Sequence, residues 1–486
     1  MTISQTEFET VIGIETHVQL KTKTKLFCSC DNDAKEALPN TKICPVCLGL
    51  PGTLPVLNEQ AVILAIKANV ALNGKLAART KFDRKNYFYP DLPKGYQITQ
   101  FDQPIIGRGY IEIYDGEQLK KIGITRAHME EDAGKLTHPE GANYSLVDLN
   151  RAGTPLLEIV SEPDLRSPAQ AKAYAQEIYT LMRYAEVSEA NLYYGNMRFD
   201  VNVSVRPKGS VEFGTRAEVK NLNSFRAVER ASEYEQKRQI DLISKGHKIV
   251  QETRGWNEAK QQTYSQRSKE EAHDYRYFPE PDIPPIVITK TMVDQALNKM
   301  PKLPNVIREE MLAQGLTKSA INTLLIRIGL TKLYFAAQAI DPHYSKLIGN
   351  WLVGLPEEIA TELEDQITTE NLIQGKIAQN LNELAAMQIS GRLSTSAAKQ
   401  ILEVMLKNKK APEGIAAELK LFQNSDNSQI ETLIDEVIAE NPIPVDQFKS
   451  GETKVAGFLV GQVMKKSHGQ ANPQVVGEIL ASKLAQ

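Results

Sequence analysis

Alternating apolar and polar positions predict a strand from Phe8 to Leu20. In an extended chain successive side chains point to opposite faces, so every second residue shares a face. One face is apolar and is expected to be buried: Ile12, Ile14, Val18 and Leu20. The other face carries polar groups and a glycine: Gly13, Glu15, His17 and Gln19. A carboxylate and an imidazole two residues apart can bind one metal ion, although a hydrogen-bonded surface pair has the same pattern.

A second alternating run, from Arg198 to Arg206, is the clearest strand pattern in the chain. Its apolar face consists of Phe199, Val201, Val203 and Val205. Its polar face consists of Arg198, Asp200, Asn202, Ser204 and Arg206, and the same alternation continues downstream at Arg216, Glu218 and Lys220. A shift of one residue would bury all these polar groups, so the register is strongly specified. The polar face therefore either meets water or forms the floor of a cleft that holds metal and phosphates.

Three consecutive acids follow a third strand-like run, which extends from Lys120 to Met129: Glu130, Glu131 and Asp132. Alternation places His128 and Glu130 on one face and Glu131 on the other. Massed carboxylates repel one another unless cations neutralise them, and a divalent metal is the simplest neutraliser. The alternative is a solvated acidic turn.

Helical periodicity appears locally in the first half of the chain and dominates from about Met292 onward. Apolar residues recur at helical spacing from Glu59 to Leu72, and Ser167 before Pro168 predicts the start of another helix. Further predicted helices cover residues 305–311, 318–328, 346–353, 372–386, 430–438, 455–464 and 473–484. The proline run ending at Pro285 and the linker at residues 407–412 predict domain boundaries.

Composition is that of a globular enzyme, with 42% hydrophobic and 24% charged residues. A length of 486 residues predicts two to four domains. The net charge of −3 excludes a global basic field, so any nucleic-acid contact must be a local patch. The N-terminal residues lack a signal-peptide layout and no apolar run is long enough to span a bilayer, so a cytoplasmic or organelle-matrix setting is expected.

All four cysteines fall in two short-spaced pairs: Cys28, Cys30, Cys44 and Cys47. Two such pairs separated by a loop can supply four thiolates to a tetrahedral zinc ion. Disulfides are not expected in a reducing compartment, and four closed ligands leave no open position for catalysis. The pattern therefore predicts a structural Zn²⁺ site, with unliganded thiols as the alternative.

Two stretches combine aromatic and basic residues. The segment 82–97 suits base stacking and phosphate contact, with Lys85 and Lys94 as candidate contacts, or else it packs as an aromatic loop beneath a sheet. The segment 263–285 contains Arg267, which can neutralise phosphate oxygens, or else it is a mixed-charge surface loop.

The last helices end in a small basic cluster: Lys465, Lys466 and His468. Such a cluster suits contact with an RNA backbone, whereas lysines that only complement a helix dipole have the same pattern. The chain has no Walker A sequence, dinucleotide-binding glycine motif or nucleophile elbow, so any ATP site is not of the P-loop kind.

Five motifs resemble the GatB family, the B subunits of aspartyl/glutamyl-tRNA amidotransferases. They are Val11–Leu20, His128–Lys135, Asp148–Pro155, Arg198–Arg206 and Ala272–Pro279. The resemblance runs over essentially the whole chain. It implies an α+β multidomain protein: a mixed-sheet cradle domain carrying the zinc site (residues 1–291), an all-helical domain (292–410) and a small helical tail domain that contacts tRNA (411–486).

The resemblance also implies an activity. ATP would phosphorylate the side-chain carboxylate of misacylated Glu-tRNA(Gln) or Asp-tRNA(Asn), and ammonia would then displace phosphate to give the amide. A carboxylate is a poor acyl donor because its leaving group would be oxide, and phosphorylation supplies a better one. Such phosphoryl transfer needs mainly positioning and charge neutralisation.

By resemblance, residues of the polar rows receive roles. The Mg²⁺ ligands would be Glu15, His17, Glu130, Glu131 and Glu218, with Mn²⁺ as an alternative metal because histidine is an uncommon Mg²⁺ ligand. The catalytic residues would be Glu15, His17, Glu130 and Arg151. Contacts to ATP or the acyl phosphate would come from Arg198, Asp200, Asn150, Lys220 and Arg267. Tail contacts to tRNA would come from Lys465, Lys466 and His468.

The chain lacks a recognisable means of releasing ammonia from glutamine, which needs an activated nucleophile. By resemblance, an amidase A subunit would supply ammonia and a small C subunit would complete a heterotrimer. Two other functions remain open: a zinc-containing RNA-binding module without chemistry, and a metal-dependent phosphohydrolase. ATP cleavage measured with and without charged tRNA separates these alternatives.

Overall fold

The computed structural model describes residues 7–268, 274–298, 300–367, 376–423, 427–450, 453–467 and 471–484. The chain divides into two compact units, Met1–Val306 and Ile307–Gln486. The first unit contains every described strand, and the described part of the second is helical. This arrangement confirms the predicted α+β multidomain class.

An eight-stranded mixed sheet forms the centre of the first unit. Its strands are β1 (Phe8–Gln19), β5 (Gly109–Asp115), β6 (Gln118–Glu131), β9 (Pro155–Ser161), β10 (Met197–Pro207), β11 (Ala217–Leu222), β12 (Glu252–Asn257) and β13 (Gln262–Ser268). Their order across the sheet is β13-β12-β11-β10-β1-β9-β6-β5. Neighbouring strands are antiparallel except β11 and β12, which are parallel.

Alternation along β1 and β10 determines which face of the sheet is buried. The two strands pair from Phe8 with Pro207 to Val18 with Met197, so their apolar positions lie on the same face. That face packs against two helices, α2 (Pro168–Tyr184) and α3 (Phe225–Ser244). A third helix, α1 (Glu59–Ala71), is buried on nearly every side. The helix start predicted at Ser167 is confirmed, because the Ser167 side chain accepts a hydrogen bond from Gln170 N and Pro168 opens α2.

Smaller sheets complete the first unit. One contains β3 (Asp83–Asn86), β4 (Tyr96–Thr99) and β14 (Phe278–Pro279), in the order β14-β3-β4. Another pairs β2 (Arg79–Thr80) with β15 (Ile286–Val287), and a third pairs β7 (Lys135–Thr137) with β8 (Leu146–Asp148). The segment containing Lys85 thus forms part of a small sheet instead of a free loop.

The predicted boundary at residues 291 and 292 falls inside helix α4 (Lys290–Leu297), whose Ala296 belongs to the core of the first unit. The division between the two units lies instead within α5 (Pro304–Ala313). The chain continues through α6 (Lys318–Ile326), α7 (Ile328–Ile340), α8 (Ser345–Val353), α9 (Glu357–Gln366), α10 (Ile377–Ile389), α11 (Thr395–Asn408) and α12 (Pro412–Glu418). The predicted helix 372–386 begins among residues outside the described ranges.

The last helices have an apolar core of their own. They are α13 (Asn427–Glu440), α14 (Pro442–Lys449), α15 (Ala456–Lys466) and α16 (Pro473–Leu484). Their buried residues include Ile430, Ile434, Val437, Leu459, Val463 and Leu480. The periodic stripe predicted from Ile430 to Ile438 is therefore the buried face of α13.

In the part of the chain that the structure describes, no single helix is long and apolar enough to cross a bilayer. Helices α6 and α7 meet that criterion only when taken together, and they are bent by 117° at the break between them.

Candidate active site

Polar side chains from adjacent strands meet on one face of the main sheet. His17 on β1 lies opposite Glu158 on β9, and Glu158 lies opposite His128 on β6. The Glu158 carboxylate is 3.3 Å from His17 Nε2 and 3.6 Å from His128 Nε2. Glu130 approaches the same two rings, at 3.7 Å from His17 Nε2 and 3.8 Å from His128 Nε2. Two imidazoles and two carboxylates therefore share one small volume.

These side chains belong to a polar row that crosses the sheet and continues on β10 and β11. The row consists of His128, Glu130, Glu158, Glu15, His17, Arg198, Asp200, Asn202, Glu218 and Lys220. Glu15 lies opposite Asp200, and Asn202 lies opposite Glu218. Asn202 Nδ2 donates a hydrogen bond of 3.0 Å to Glu15 Oε1. Lys220 Nζ bridges two carboxylates, at 2.9 Å from Asp200 Oδ2 and 2.8 Å from Glu218 Oε1. Five neighbouring strands thus form a continuous strip of charged and amide groups.

The excess of carboxylates in this strip favours bound cations. Burial alone would lower the pKa of His17, but its hydrogen bond to Glu158 and the charges of Glu130 and Asp200 raise that pKa to about 9. Burial, together with repulsion from Glu158, Glu218 and Asp200, raises the pKa of Glu15. The field at His17 therefore favours positive charge, which either a proton or a metal ion would supply.

Three of these residues can hold a metal ion. His17, Glu130 and Glu158, called here the sheet cluster, each offer one ligand atom, and these atoms all lie within 4.8 Å of one another. Ligands about 2.1 Å from an octahedral Mg²⁺ are separated by about 3 Å when adjacent and about 4.2 Å when opposite. The observed separations are close to that range, so the residues fit Mg²⁺ or Mn²⁺.

The sulfur atoms of the cysteine cluster also converge: Cys28, Cys30, Cys44 and Cys47 lie with their Sγ atoms within 4.8 Å of one another. Cys44 Sγ and Cys47 Sγ are 3.8 Å apart. Tetrahedral zinc with Zn–S bonds of about 2.3 Å separates its sulfurs by about 3.8 Å. The four thiols therefore fit a closed tetrahedral site.

A cavity of about 410 Å³ opens beside Glu15. It is lined in part by Gly13, Asn202, Phe213 and Arg216. Phe213 is 62% exposed, so its ring is available to stack on a ligand. The cavity adjoins the polar row at Glu15 and Asn202.

Two protein-family models match the chain. The GatB/GatE catalytic domain family matches residues 10–294, and a second family, described as GatB domain, matches residues 334–484. The chain belongs to the GatB family.

Similar GatB proteins cover nearly the whole chain. The B subunit of the aspartyl/glutamyl-tRNA(Asn/Gln) amidotransferase of Carboxydothermus hydrogenoformans is 46% identical over 484 residues, covering 99% of each chain. The protein of the same name from Thermoanaerobacter pseudethanolicus is 47% identical over 485 residues, covering 99% of this chain and 100% of its own. The B subunit of the chloroplastic/mitochondrial glutamyl-tRNA(Gln) amidotransferase of Sorghum bicolor is 47% identical over 483 residues, covering 98% of this chain and 87% of its own.

In this GatB protein Glu158 completes the sheet cluster, whereas the family resemblance had implied Glu131 as a ligand there. Glu158 alternates with the buried residues Leu157 and Ile159 on β9. This three-residue alternation is the sequence signal that could have identified Glu158, but it is shorter than the alternation in β1 and β10. His128 was placed on the correct face but received no role, although it contacts both carboxylates of the cluster.

Glu131 faces the other side of β6. Its carboxylate forms an ion pair with Lys94 and accepts a hydrogen bond of 2.9 Å from Ile98 N. Together with Cys47 and Gly153, this pair lines a separate cavity of about 210 Å³. The structure therefore separates Glu131 from His17 and places Lys94 in an ion pair instead of at a free phosphate position.

Arg151 and Arg198 converge on Asp132. Arg198 Nη2 donates to both Asp132 carboxylate oxygens at 3.2 and 3.1 Å, and Arg151 Nε lies 3.2 Å from Oδ2. Arg151 also donates to the carbonyls of Ala133 and Gly134. The two arginines thus brace the turn after β6, with Arg198 lying opposite His17 in the sheet.

Asn150 has a structural role, because its side chain binds the backbone of another loop. It is 3% exposed, its Oδ1 accepts a 2.8 Å bond from Lys42 N, and its Nδ2 donates a 2.7 Å bond to Leu38 O. These bonds secure the loop between the two cysteine pairs. Because both polar ends of its side chain are occupied, the predicted phosphate contact has no geometric support.

A small aromatic group covers the Glu130 end of the row. Lys85 Nζ lies over the Tyr275 ring at 4.8 Å, and Phe101 stacks on Tyr277 with ring centroids 4.1 Å apart. Burial opposes the charge of Lys85, but attraction by Glu130 and by aromatic and carboxylate neighbours raises its pKa. A half-buried ammonium group is therefore close enough to the carboxylates of the sheet cluster to be attracted by Glu130 and Glu158.

The remaining predicted residues lie elsewhere. Arg267 is on β13 opposite Thr253, and the structure describes its backbone but not its side chain. Lys465 is exposed at the end of α15, whereas Lys466 forms ion pairs of 2.7 Å with both Glu436 and Glu440 on α13. His468 lies outside the described residues.

Proposed function

We propose that this chain, as the B subunit of a tRNA-dependent amidotransferase, activates an amino acid esterified to tRNA on the polar row. The substrates are Glu-tRNA(Gln), Asp-tRNA(Asn) or both, and the products are Gln-tRNA(Gln) and Asn-tRNA(Asn). The observation that supports this proposal most is the sheet cluster, with the cations Lys220 and Arg198 nearby, in a chain that belongs to the GatB family.

The reaction has two steps. A side-chain carboxylate oxygen of the aminoacyl group attacks the γ-phosphorus of ATP, the bond to the β-phosphate oxygen breaks, and ADP leaves. Ammonia then attacks the acyl carbon, the carbon–oxygen bond to phosphate breaks, and the ammonia nitrogen loses its extra proton. Phosphate leaves more readily than oxide, which is why the carboxylate must be phosphorylated first.

His17, Glu130 and Glu158 would hold Mg²⁺ or Mn²⁺, which neutralises phosphate charge when bound. Lys220 presents an ammonium group already oriented by Asp200 and Glu218. Arg198, held by Asp132, adds a fixed guanidinium beside His17. These side chains restrain the reacting phosphate without needing to reorient, which is how preorganised charge lowers a barrier.

The cavity beside Glu15 suits the nucleoside of ATP. Its volume of about 410 Å³ lies within the usual range for small-ligand pockets. Gly13 leaves room in its wall, where a Cβ atom would lie 3.7 Å from Pro163 Cα, and the exposed Phe213 ring supplies a stacking surface. In this arrangement the triphosphate extends along the row toward Glu158.

The cysteine cluster would hold a structural Zn²⁺ that fixes the loop between residues 28 and 47. Four thiolates satisfy tetrahedral zinc and leave no position for substrate. Zinc is thus expected to contribute to folding instead of chemistry.

Partner subunits would supply the ammonia, because the chain has no recognisable nucleophile for releasing it from glutamine. An amidase A subunit would deliver ammonia and a small C subunit would complete the complex, in a cytoplasmic setting that keeps thiols reduced. The exposed Lys465 is the remaining described candidate for a tail contact with the tRNA backbone.

ATP cleavage by the chain, assembled with its A and C subunits, tests this function. The measurement compares Glu-tRNA(Gln), uncharged tRNA(Gln) and no tRNA. Strong stimulation by the charged tRNA alone supports carboxylate activation. Equal cleavage without the aminoacyl group would indicate a phosphohydrolase, and amidation that survives Glu158→Gln would indicate a non-catalytic RNA-binding role.

A further inference from the structure

A lysine is buried next to the cysteine cluster. Lys25 is 0% exposed and is among the largest fully buried side chains of the protein. Its Nζ lies 3.8 Å from Cys47 Sγ. Within the described ranges, this sulfur is the only hydrogen-bond acceptor that the structure gives the ammonium group.

The backbone holds Lys25 in this position. Lys25 N donates a 2.9 Å hydrogen bond to Cys30 O, and Lys25 O accepts one of 3.2 Å from Asn58 Nδ2. Asn58 is also the N-cap of α1. The side chain is therefore directed at the cluster by bonds that connect one cysteine pair to the core of the unit.

A buried ammonium group is costly unless an anion lies beside it. Among the described residues, no carboxylate forms an ion pair with Lys25. Four thiolates around Zn²⁺ carry a net charge of −2, which supplies the missing anion. When zinc is bound, attraction between the Lys25 ammonium group and the zinc–thiolate centre offsets the cost of burying each charge.

We infer that Lys25 is a positioning residue of the zinc site, whose ammonium group neutralises part of the thiolate charge and keeps zinc bound. The inference rests on the proposed zinc site. Groups beside metal ligands commonly alter metal affinity by about tenfold to a hundredfold. Donation to Cys47 Sγ also withdraws electron density from that sulfur and makes it a poorer nucleophile.

The position of Lys25 connects the cysteine cluster to the turn that precedes β9. Gly153 has a positive φ of 85°, and a Cβ atom there would lie 3.5 Å from both Lys25 Cδ and Cys47 Cβ and 3.9 Å from Glu131 Oε2. Leu26 N donates a 2.9 Å bond to Gly153 O. Zinc retention is therefore expected to maintain the packing around Glu131.

The test measures zinc release from the full chain in its complex, using a chromophoric chelator and, separately, alkylation by iodoacetamide. Lys25→Met keeps the aliphatic volume and removes the charge, and Lys25→Arg keeps the charge. Lys23→Met is the matched control, because Lys23 is exposed two residues away on the same segment. We expect Lys25→Met to release zinc and react with iodoacetamide about tenfold to a hundredfold faster, with Lys23→Met within about twofold of the wild type.

Each other outcome is decisive. Wild-type release rates for Lys25→Met would overturn the inference, and so would Lys25→Arg releasing zinc as fast as Lys25→Met, because charge would then not be the cause. A wild-type chain with no bound zinc would overturn the zinc site itself. Circular dichroism of each variant, recorded at about 20 °C and so below typical melting temperatures, distinguishes rapid release by a folded chain from loss of the fold.

Discussion

The sheet cluster and the cysteine cluster hold their ligand atoms within the same 4.8 Å, but they are assembled in different ways. The cysteines come from one loop, in two pairs that are visible as a motif. The sheet cluster takes His17, Glu130 and Glu158 from three strands that are adjacent only after the sheet has formed. We therefore expect the first kind of site to depend on the metal for local order and the second to keep its structure without the metal.

The largest effect is expected at Glu158. Glu158→Gln keeps the shape of the side chain but removes its charge, so we expect tRNA-dependent ATP cleavage to fall about 10²- to 10³-fold. The melting temperature should remain near that of the wild type, because the sheet does not need the metal. Steady-state cleavage and calorimetry measure both, and Glu112→Gln on the exposed edge of β5 is the control. Wild-type turnover by Glu158→Gln would exclude Glu158 from the site.

The cysteine cluster should respond in the opposite way. Cys47→Ser is expected to lose zinc and to lower the melting temperature by about 5 °C or more, because zinc binding contributes directly to folding. Activity measured well below the melting temperature should decline less than in Glu158→Gln. A variant with full stability and no zinc would show that the cluster is not a structural site.

The adjacent residues Glu130 and Glu131 point to opposite faces of β6, so only Glu130 is expected to bind the metal ion. Glu130→Gln should weaken Mn²⁺ binding about tenfold or more, because Glu130 faces His17, whereas Glu131→Gln should leave it within about threefold. Electron paramagnetic resonance of bound Mn²⁺ in the absence of nucleotide measures this directly. Equal losses in both variants would contradict the separation of the two side chains.

The smallest effect is expected in the tail. Lys466→Ala should change tRNA affinity by less than about twofold, because its ammonium group is already paired with Glu436 and Glu440. Lys465→Ala should weaken binding slightly more and reduce its dependence on salt. Filter binding at two salt concentrations compares the variants, and a larger loss in Lys466→Ala would show that its ion pairs open for RNA.

Sequence patterns predicted the parts of this structure that depend on local order. Long alternation identified the faces of β1 and β10, the cysteine spacing identified a four-thiol site, and Ser167 with Pro168 identified the start of α2. What they could not supply was strand order. Nothing local shows that β9 lies between β1 and β6, and that placement is what brings Glu158 beside His17. Spacing also could not show that Asn150 secures a loop, since its partners, Lys42 and Leu38, are about a hundred residues earlier in the chain.

The central claim is that ATP phosphorylates the side-chain carboxylate of an aminoacyl-tRNA bound at the polar row. The most direct measurement uses Glu-tRNA(Gln) labelled with ¹⁸O in that carboxylate, the assembled complex, ATP and ammonia. Mass analysis of the released phosphate is predicted to show one ¹⁸O atom per phosphate, transferred when the carbon–oxygen bond breaks. Amide formation accompanied by unlabelled phosphate would contradict the claim.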